Sequence, residues 1–126
     1  MAGDIMGFQQ AVQSVFSKYF QFSDRAPRSE YWYWVLFLFV GGFLISLADS
    51  FVFGAGKPLS TVFTLATFIP GLAVAVRRLH DTGRTGWLLL IGFIPLLGFV
   101  LLLIWFCTRG EDGTNDFGHD PLNPRL

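Results

Sequence analysis

The sequence predicts an all-α membrane protein forming one domain over residues 1–126, and three observations carry that prediction. Apolar residues gather into long runs, residues 31–53, 59–76 and 87–107, instead of alternating with polar ones. Charged residues are 14% of the chain against roughly 25% in an ordinary soluble domain, too few to cover a soluble core. Tyr31-Trp32-Tyr33-Trp34 opens the first run and Trp87 the third, and amphipathic rings of this kind settle at headgroup depth. The expected architecture is an amphipathic N-terminal interfacial helix, three transmembrane helices and an irregular C-terminal tail.

Residues 4–20 read as the amphipathic helix. Ile5, Phe8, Val12, Val15 and Tyr19 recur at steps of three and four, Phe16 and Phe20 widen the stripe, and Gln and Ser residues fill the other face. Such a helix either lies in the membrane interface, aromatic side down, or packs its stripe on the chain's own membrane helices. No secretory signal peptide is expected: Asp4 stands where a basic region belongs, and no continuous apolar core occurs in the first 30 residues.

Pro27 disfavours helix at Ala26 and suits the start of a new one. Glu30 falls in that helix's first turn, where the helix dipole favours a negative charge. The first span, 31–53, carries Gly41-Gly42 and Ser46, small residues that admit a close neighbour. Asp49 is expected in the far interface. After the turn at 54–58, the second span, 59–76, has 18 residues, near the lower limit for crossing. Residues 87–107 hold no charge and reach about 31 Å as one helix, enough to span. The tail, 108–126, is rich in Gly, Pro, Asn and Asp and reads as irregular.

With three spans, Lys18, Arg25, Arg28, Arg77, Arg78 and Arg84 share one side, against Lys57, Arg109 and Arg125 on the other. The positive-inside rule then places the N-terminus and the Arg77–Trp87 loop in the cytoplasm and the tail outside. Phe68-Ile69-Pro70 is echoed by Phe93-Ile94-Pro95. The expectation is an antiparallel hairpin of the last two spans, kinked at Pro70 and Pro95 at one depth, with a small cavity open toward the loop.

The stretch Arg77-Arg78-Leu79-His80-Asp81-Thr82-Gly83-Arg84-Thr85-Gly86-Trp87 is the candidate site, a strongly polar run between two apolar segments. Arginines beside a membrane suit anionic headgroups, because guanidinium binds phosphate oxygens bidentately. Asp81 is placed to orient Arg78 or His80, Asp81-Thr82-Gly83 is a turn signal, and Thr85 can cap the helix at Trp87. Arg25, Arg28 and Glu30 lie on the same predicted face and join the site.

Other chemistries find little support. Net charge is zero, which argues against nucleic acid as a partner. The single cysteine, Cys107, excludes an internal disulfide and a multi-cysteine metal site. No nucleophile stands at recognisable spacing from His80 and Asp81, so no catalytic residues are assigned. His80 and His119 are predicted on opposite sides, and no cofactor or metal is expected. Asp112, Thr114, Asp116 and Asp120 faintly echo a calcium loop but have Phe117 where glycine is required and Asn123 where glutamate is.

Three motifs resemble, in order, the signatures of a bacterial inner-membrane family, the domain-of-unknown-function 805 or YhaH-like proteins. They are Arg25-Ala26-Pro27-Arg28-Ser29-Glu30-Tyr31-Trp32, the run Arg77–Trp87, and Gly113-Thr114-Asn115-Asp116-Phe117-Gly118-His119-Asp120-Pro121. The resemblance covers about residues 15–124. The chain departs from the family pattern at Asp24, where glycine usually follows Phe-Ser, and at His119, usually proline. The resemblance implies a small multi-pass protein of the bacterial inner membrane and brings no activity with it. The functional expectation is a non-enzymatic module binding anionic lipid headgroups or a membrane partner through the loop. The alternative is an oligomeric transporter or channel packed through Gly41-Gly42, with its cavity at Pro70 and Pro95.

Overall fold

The computed structural model of the protein describes residues 7–122, and its regular elements are helices, with irregular segments between the first and second α-helices and after the last. Asp4 and Ile5, at the predicted start of the first helix, and Asn123 to Leu126 in the tail lie outside the described residues. Among the described residues there are four α-helices: α1 (Phe8–Ser17), α2 (Arg28–Val52), α3 (Pro58–Asp81) and α4 (Leu97–Cys107). A short 3-10 turn, Gly54–Gly56, joins α2 to α3, and a longer 3-10 segment, Gly86–Phe93, precedes α4.

Among the described residues, α2 and α3 are the two helices long and apolar enough to cross a membrane. Only 6% and 22% of their most apolar windows are buried, so neither is the enclosed core helix of a soluble protein. The surface is inverted relative to a soluble fold. Phe39, Phe43, Phe51 and Phe93 are exposed, while Arg25, Arg77, Arg78, Glu30 and Asp81 are buried.

The 87–107 run is not one helix, which corrects the expectation of a single long helix there. Its first part is the 3-10 segment and its second is α4, with a chain reversal at Ile94–Leu96. The reversal is a tight γ-turn in which the Leu97 N–H bonds the Pro95 carbonyl at 2.7 Å and Leu96 takes φ 66, ψ −62, a rare and strained geometry. Pro95 therefore helps reverse the chain instead of kinking a helix. Eight 3-10 residues and eleven α residues each run about 16 Å, half of a roughly 30 Å hydrocarbon core. The arms touch along their length. Gly98 sits so close to the other arm that a Cβ there would lie 1.8 Å from the Ile91 carbonyl oxygen. At the open end, the Arg84 guanidinium lies 4.9 Å from the centre of the Trp105 ring. The result is a half-length hairpin whose two ends meet beside the end of α3.

Pro70, by contrast, lies inside a continuous α3. A proline donates no hydrogen bond, so the carbonyl four residues earlier, Ala66, loses its helical partner. The Tyr19 hydroxyl supplies one, donating to the Ala66 oxygen at 2.5 Å. This contact explains why the predicted 4–20 helix stops at Ser17: the chain turns at Lys18 and frees Tyr19 to reach α3. Helix α1 buries Ala11 and Val15 and sets Phe16 edge-on against Trp34 and Phe37 of α2. Its stripe thus packs on the chain's own helices, while Phe20 remains exposed.

Asp49 also serves the backbone. It is buried, and its carboxylate accepts the Leu59 and Ser60 N–H groups at 3.0 and 2.6 Å, capping α3 from the neighbouring helix. Lys57, the residue at the cap position itself, is left-handed and offers no side-chain bond. Gly41-Gly42 is covered within the chain, since a Cβ on Gly41 would meet the Phe63 ring at 3.2 Å. Tyr19→Phe is expected to lower stability by about 1 kcal/mol, the net worth of one hydrogen bond, read as a lower midpoint for thermal unfolding in detergent; an unchanged midpoint would show that Ala66 needs no donor.

Candidate functional site

The end of α3 is where the chain's charges converge. Arg77, Arg78, His80 and Asp81 fall on its last turn, and each faces a different segment because successive helical residues point about 100° apart. Asp81 is the centre. One carboxylate oxygen accepts Arg25 Nε at 2.9 Å and the other accepts Arg78 Nη1 at 2.8 Å, with all three side chains buried. A second pair joins Arg77 Nη1 to Glu30 Oε2 at 2.8 Å, and the Ser14 hydroxyl donates to the same oxygen at 2.9 Å.

Most of the remaining guanidinium donors go to backbone carbonyls, while Arg77 Nη2 is buried without a hydrogen-bond partner. Arg25 reaches the Gly113 oxygen at 2.6 Å and the Glu111 oxygen at 2.5 Å. Arg78 Nε reaches the Phe106 oxygen at 3.1 Å, and its Nη2 bonds the Thr108 carbonyl. Trp32 Nε1 donates to the same Phe106 oxygen at 3.1 Å, and Arg28 reaches Cys107 O at 3.2 Å. Cations on the last carbonyls of α4 suit the negative end of a helix. They also hold the returning arm of the hairpin at the level of the α3 terminus.

The tail completes the cluster. The Glu111 N–H bonds the Asp81 carbonyl at 2.7 Å, and Asn115 Nδ2 donates to the His80 carbonyl at 2.9 Å. Phe117 lies flat on the His80 ring, centroids 4.2 Å apart and planes 7° apart. Asp120, buried, accepts the Gly113 and Leu122 N–H groups at 2.9 Å each, which closes the tail's turn. Gly110 is needed for this docking: a Cβ there would stand 2.1 Å from Asp81 Oδ2. The tail, read from the sequence as irregular and on the other side from the loop, is folded against the end of α3.

The structure brings together six of the predicted site residues: Arg25, Glu30, Arg77, Arg78, His80 and Asp81 are buried in one charged knot. It leaves three outside. Arg28 is exposed, Arg84 stacks on Trp105, and Trp87 is 78% exposed. The Asp81–Arg78 pair matches one of the two arrangements open from sequence; His80 instead joins its Nδ1 to the Asp24 carbonyl at 2.9 Å. Gly83 takes φ 78 in the expected turn, and the Thr85 hydroxyl accepts the Trp87 N–H at 3.5 Å. Sequence reasoning passed over Ser14, Tyr19, Asn115 and Phe117 as partners. The tail signature Gly113–Pro121 was the one signal pointing to the last two. Among the described residues no group of three or more His, Cys, Asp or Glu side chains is arranged to hold a metal.

An apolar exterior, two helices of membrane-crossing length and a charged knot at one end define the class as a small helical membrane protein. Within that class the chain belongs to the family described as "Protein of unknown function (DUF805)", whose model matches residues 19–119. The match begins at Tyr19 and takes in the whole knot except Ser14. The chain is 45% identical over 109 residues to inner membrane protein YhaI of Escherichia coli K12, covering 86% of this chain and 92% of that one. It is 36% identical over 111 residues to inner membrane protein YhaH of the same strain, covering 85% and 92%. It is 33% identical over 132 residues to the uncharacterized protein YiiR, covering 80% and 86%. No solved structure matches the chain.

Removing one partner from a buried ion pair leaves an uncompensated charge and typically costs about 3–5 kcal/mol. Asp81→Asn is therefore expected to destabilise the fold by about that amount, because both Arg25 and Arg78 lose their counter-ion. Thermal unfolding in detergent reads the change, and a shift within error of wild type would show that the carbonyls alone satisfy the two arginines.

Proposed function

We propose that the protein is a non-enzymatic module of the bacterial inner membrane that holds anionic lipid headgroups against its charged face. The observation that carries this reading is the difference between its arginines. Arg25, Arg77 and Arg78 are committed to buried carboxylates, whereas Arg28 and Arg84 have no carboxylate partner among the described residues. Both flank the last turn of α4, Arg28 on the Cys107 carbonyl and Arg84 over the Trp105 ring. Each has unused guanidinium donors at the level where Trp32 and Trp105 mark an interface, the place for lipid phosphates. The buried arginines act through structure, by fixing the surface on which Arg28 and Arg84 stand. The non-enzymatic reading rests on the same commitment: Asp81 is shared by two arginines, and His80 Nδ1 is held by a carbonyl.

The hairpin changes the reading of orientation. If α2 and α3 are the spans and residues 86–107 turn back half-way, the N-terminal segment, the loop and the tail share a side. Lys18, Arg25, Arg28, Arg77, Arg78, Arg84 and Arg109 then lie together, against Lys57 alone at the α2–α3 turn. That asymmetry favours a cytoplasmic charged face, with the tail inside. The transporter alternative has less to stand on. Phe63 already occupies the Gly41-Gly42 surface, and neither Pro70 nor Pro95 lines the three cavities found against α3 among the described residues.

Two outcomes are expected. In native mass spectrometry from lipid nanodiscs, Arg28→Gln with Arg84→Gln lowers retention of phosphatidylglycerol over phosphatidylcholine on the order of tenfold, at about 1 kcal/mol per basic residue; equal retention by wild type and the double variant would sink the lipid reading. A C-terminal green fluorescent protein fusion fluoresces and a C-terminal alkaline phosphatase fusion stays inactive, both marking a cytoplasmic tail. An active phosphatase fusion would reverse the orientation.

A further inference from the structure

A cavity of about 480 Å³ lies between α3 and the 3-10 arm of the hairpin, within the roughly 300–1,000 Å³ of small-molecule pockets. Its long walls are apolar: Leu72 and Val76 from α3, Leu89 and Leu90 from the arm, with Phe22 beside them. At its upper end stand His80 and Thr85. From Leu72 to His80 the helix rises about 12 Å, so the cavity is elongated, apolar along its length and polar at one end.

The His80 side chain gives this end a specific chemistry. The residue is 8% exposed and its ring is fixed on both sides, by the Phe117 stack at 4.2 Å and by the bond to the Asp24 carbonyl. A carbonyl only accepts, so Nδ1 carries the proton. In the neutral ring Nε2 is then an acceptor, and it has no partner among the described residues. A ligand that completes the site must donate a hydrogen bond there. No lysine, arginine, aspartate or glutamate lines the cavity, so nothing within it compensates a charged head.

We infer that this cavity is a binding site for a neutral lipid bearing a free hydroxyl, its apolar chain lying between Leu72 and Leu90 and its hydroxyl donating to His80 Nε2. The Thr85 hydroxyl stands at the same end to take a second polar contact. This site is separate from the Arg28–Arg84 surface in both residues and charge, and it stands whether or not anionic headgroups bind that surface.

The test uses the full chain in nanodiscs and a monoacylglycerol carrying a diazirine in its acyl chain, with the methyl ester of the same fatty acid as the hydroxyl-free control. Saturable photolabelling is expected on residues 72–76 and 89–90. The methyl ester is expected to label about tenfold more weakly, the loss of one hydrogen bond in an apolar site. Leu90→Trp, which fills the cavity from its half-exposed wall, is expected to abolish the labelling. Labelling spread over outward residues such as Phe39 and Phe43, or equal labelling by the two probes, overturns the proposal. Both of those readings come from the wild-type chain and do not depend on how Leu90→Trp folds.

Discussion

The Asp81 carboxylate, shared between Arg25 and Arg78, is the contact on which the other parts of the structure depend. Arg25 brings in the N-terminal segment and, through the Gly113 and Glu111 carbonyls, the tail. Arg78 brings in the end of α4 through Phe106 and Thr108. Asp81's own carbonyl accepts the Glu111 N–H. One residue at a helix terminus thus organises four segments. Charges in a buried setting are stable only when paired and fully hydrogen-bonded, which makes such a cluster specific about geometry as well as costly to disturb.

The second theme is satisfaction of the backbone where water is scarce. Helices leave carbonyls and N–H groups unpaired at their ends and at prolines, and a membrane offers no solvent to fill them. In three places this chain answers with a side chain from elsewhere. Tyr19 meets the carbonyl freed by Pro70, and Asp49 caps the start of α3. Arg28, Arg78 and Trp32 take the last carbonyls of α4.

The lipid-facing proposals follow from what this bonding leaves over. Arg25 and Arg78 have every guanidinium nitrogen bonded internally; Arg28 and Arg84 do not. His80, which lines a cavity without charges, is held through one ring nitrogen, and the other has no partner among the described residues. Both proposals place a lipid beside the same bonded cluster, whose groups cannot easily move.

Much of this was legible from the residues alone. Run lengths, the low charge content and the aromatic belt determine a membrane protein, and Asp81-Thr82-Gly83 determines a turn, because these depend on composition and local geometry. The three motifs marked the segments that meet, without showing that they touch. What only the tertiary structure decided is how the segments pair. Residues 87–107 are uncharged and long enough to span, so composition favours a single helix; the γ-turn at Leu96 and the close approach of Gly98 to Ile91 turn them back. The arginines read as a surface for headgroups because charge beside a membrane usually faces water. Their burial depends on Asp81 meeting Arg25 from 56 positions away and on Glu30 meeting Arg77 from 47. Pairings at such separations leave no periodicity in the chain, since they are set by how helices pack and by the need of every buried charge for a partner.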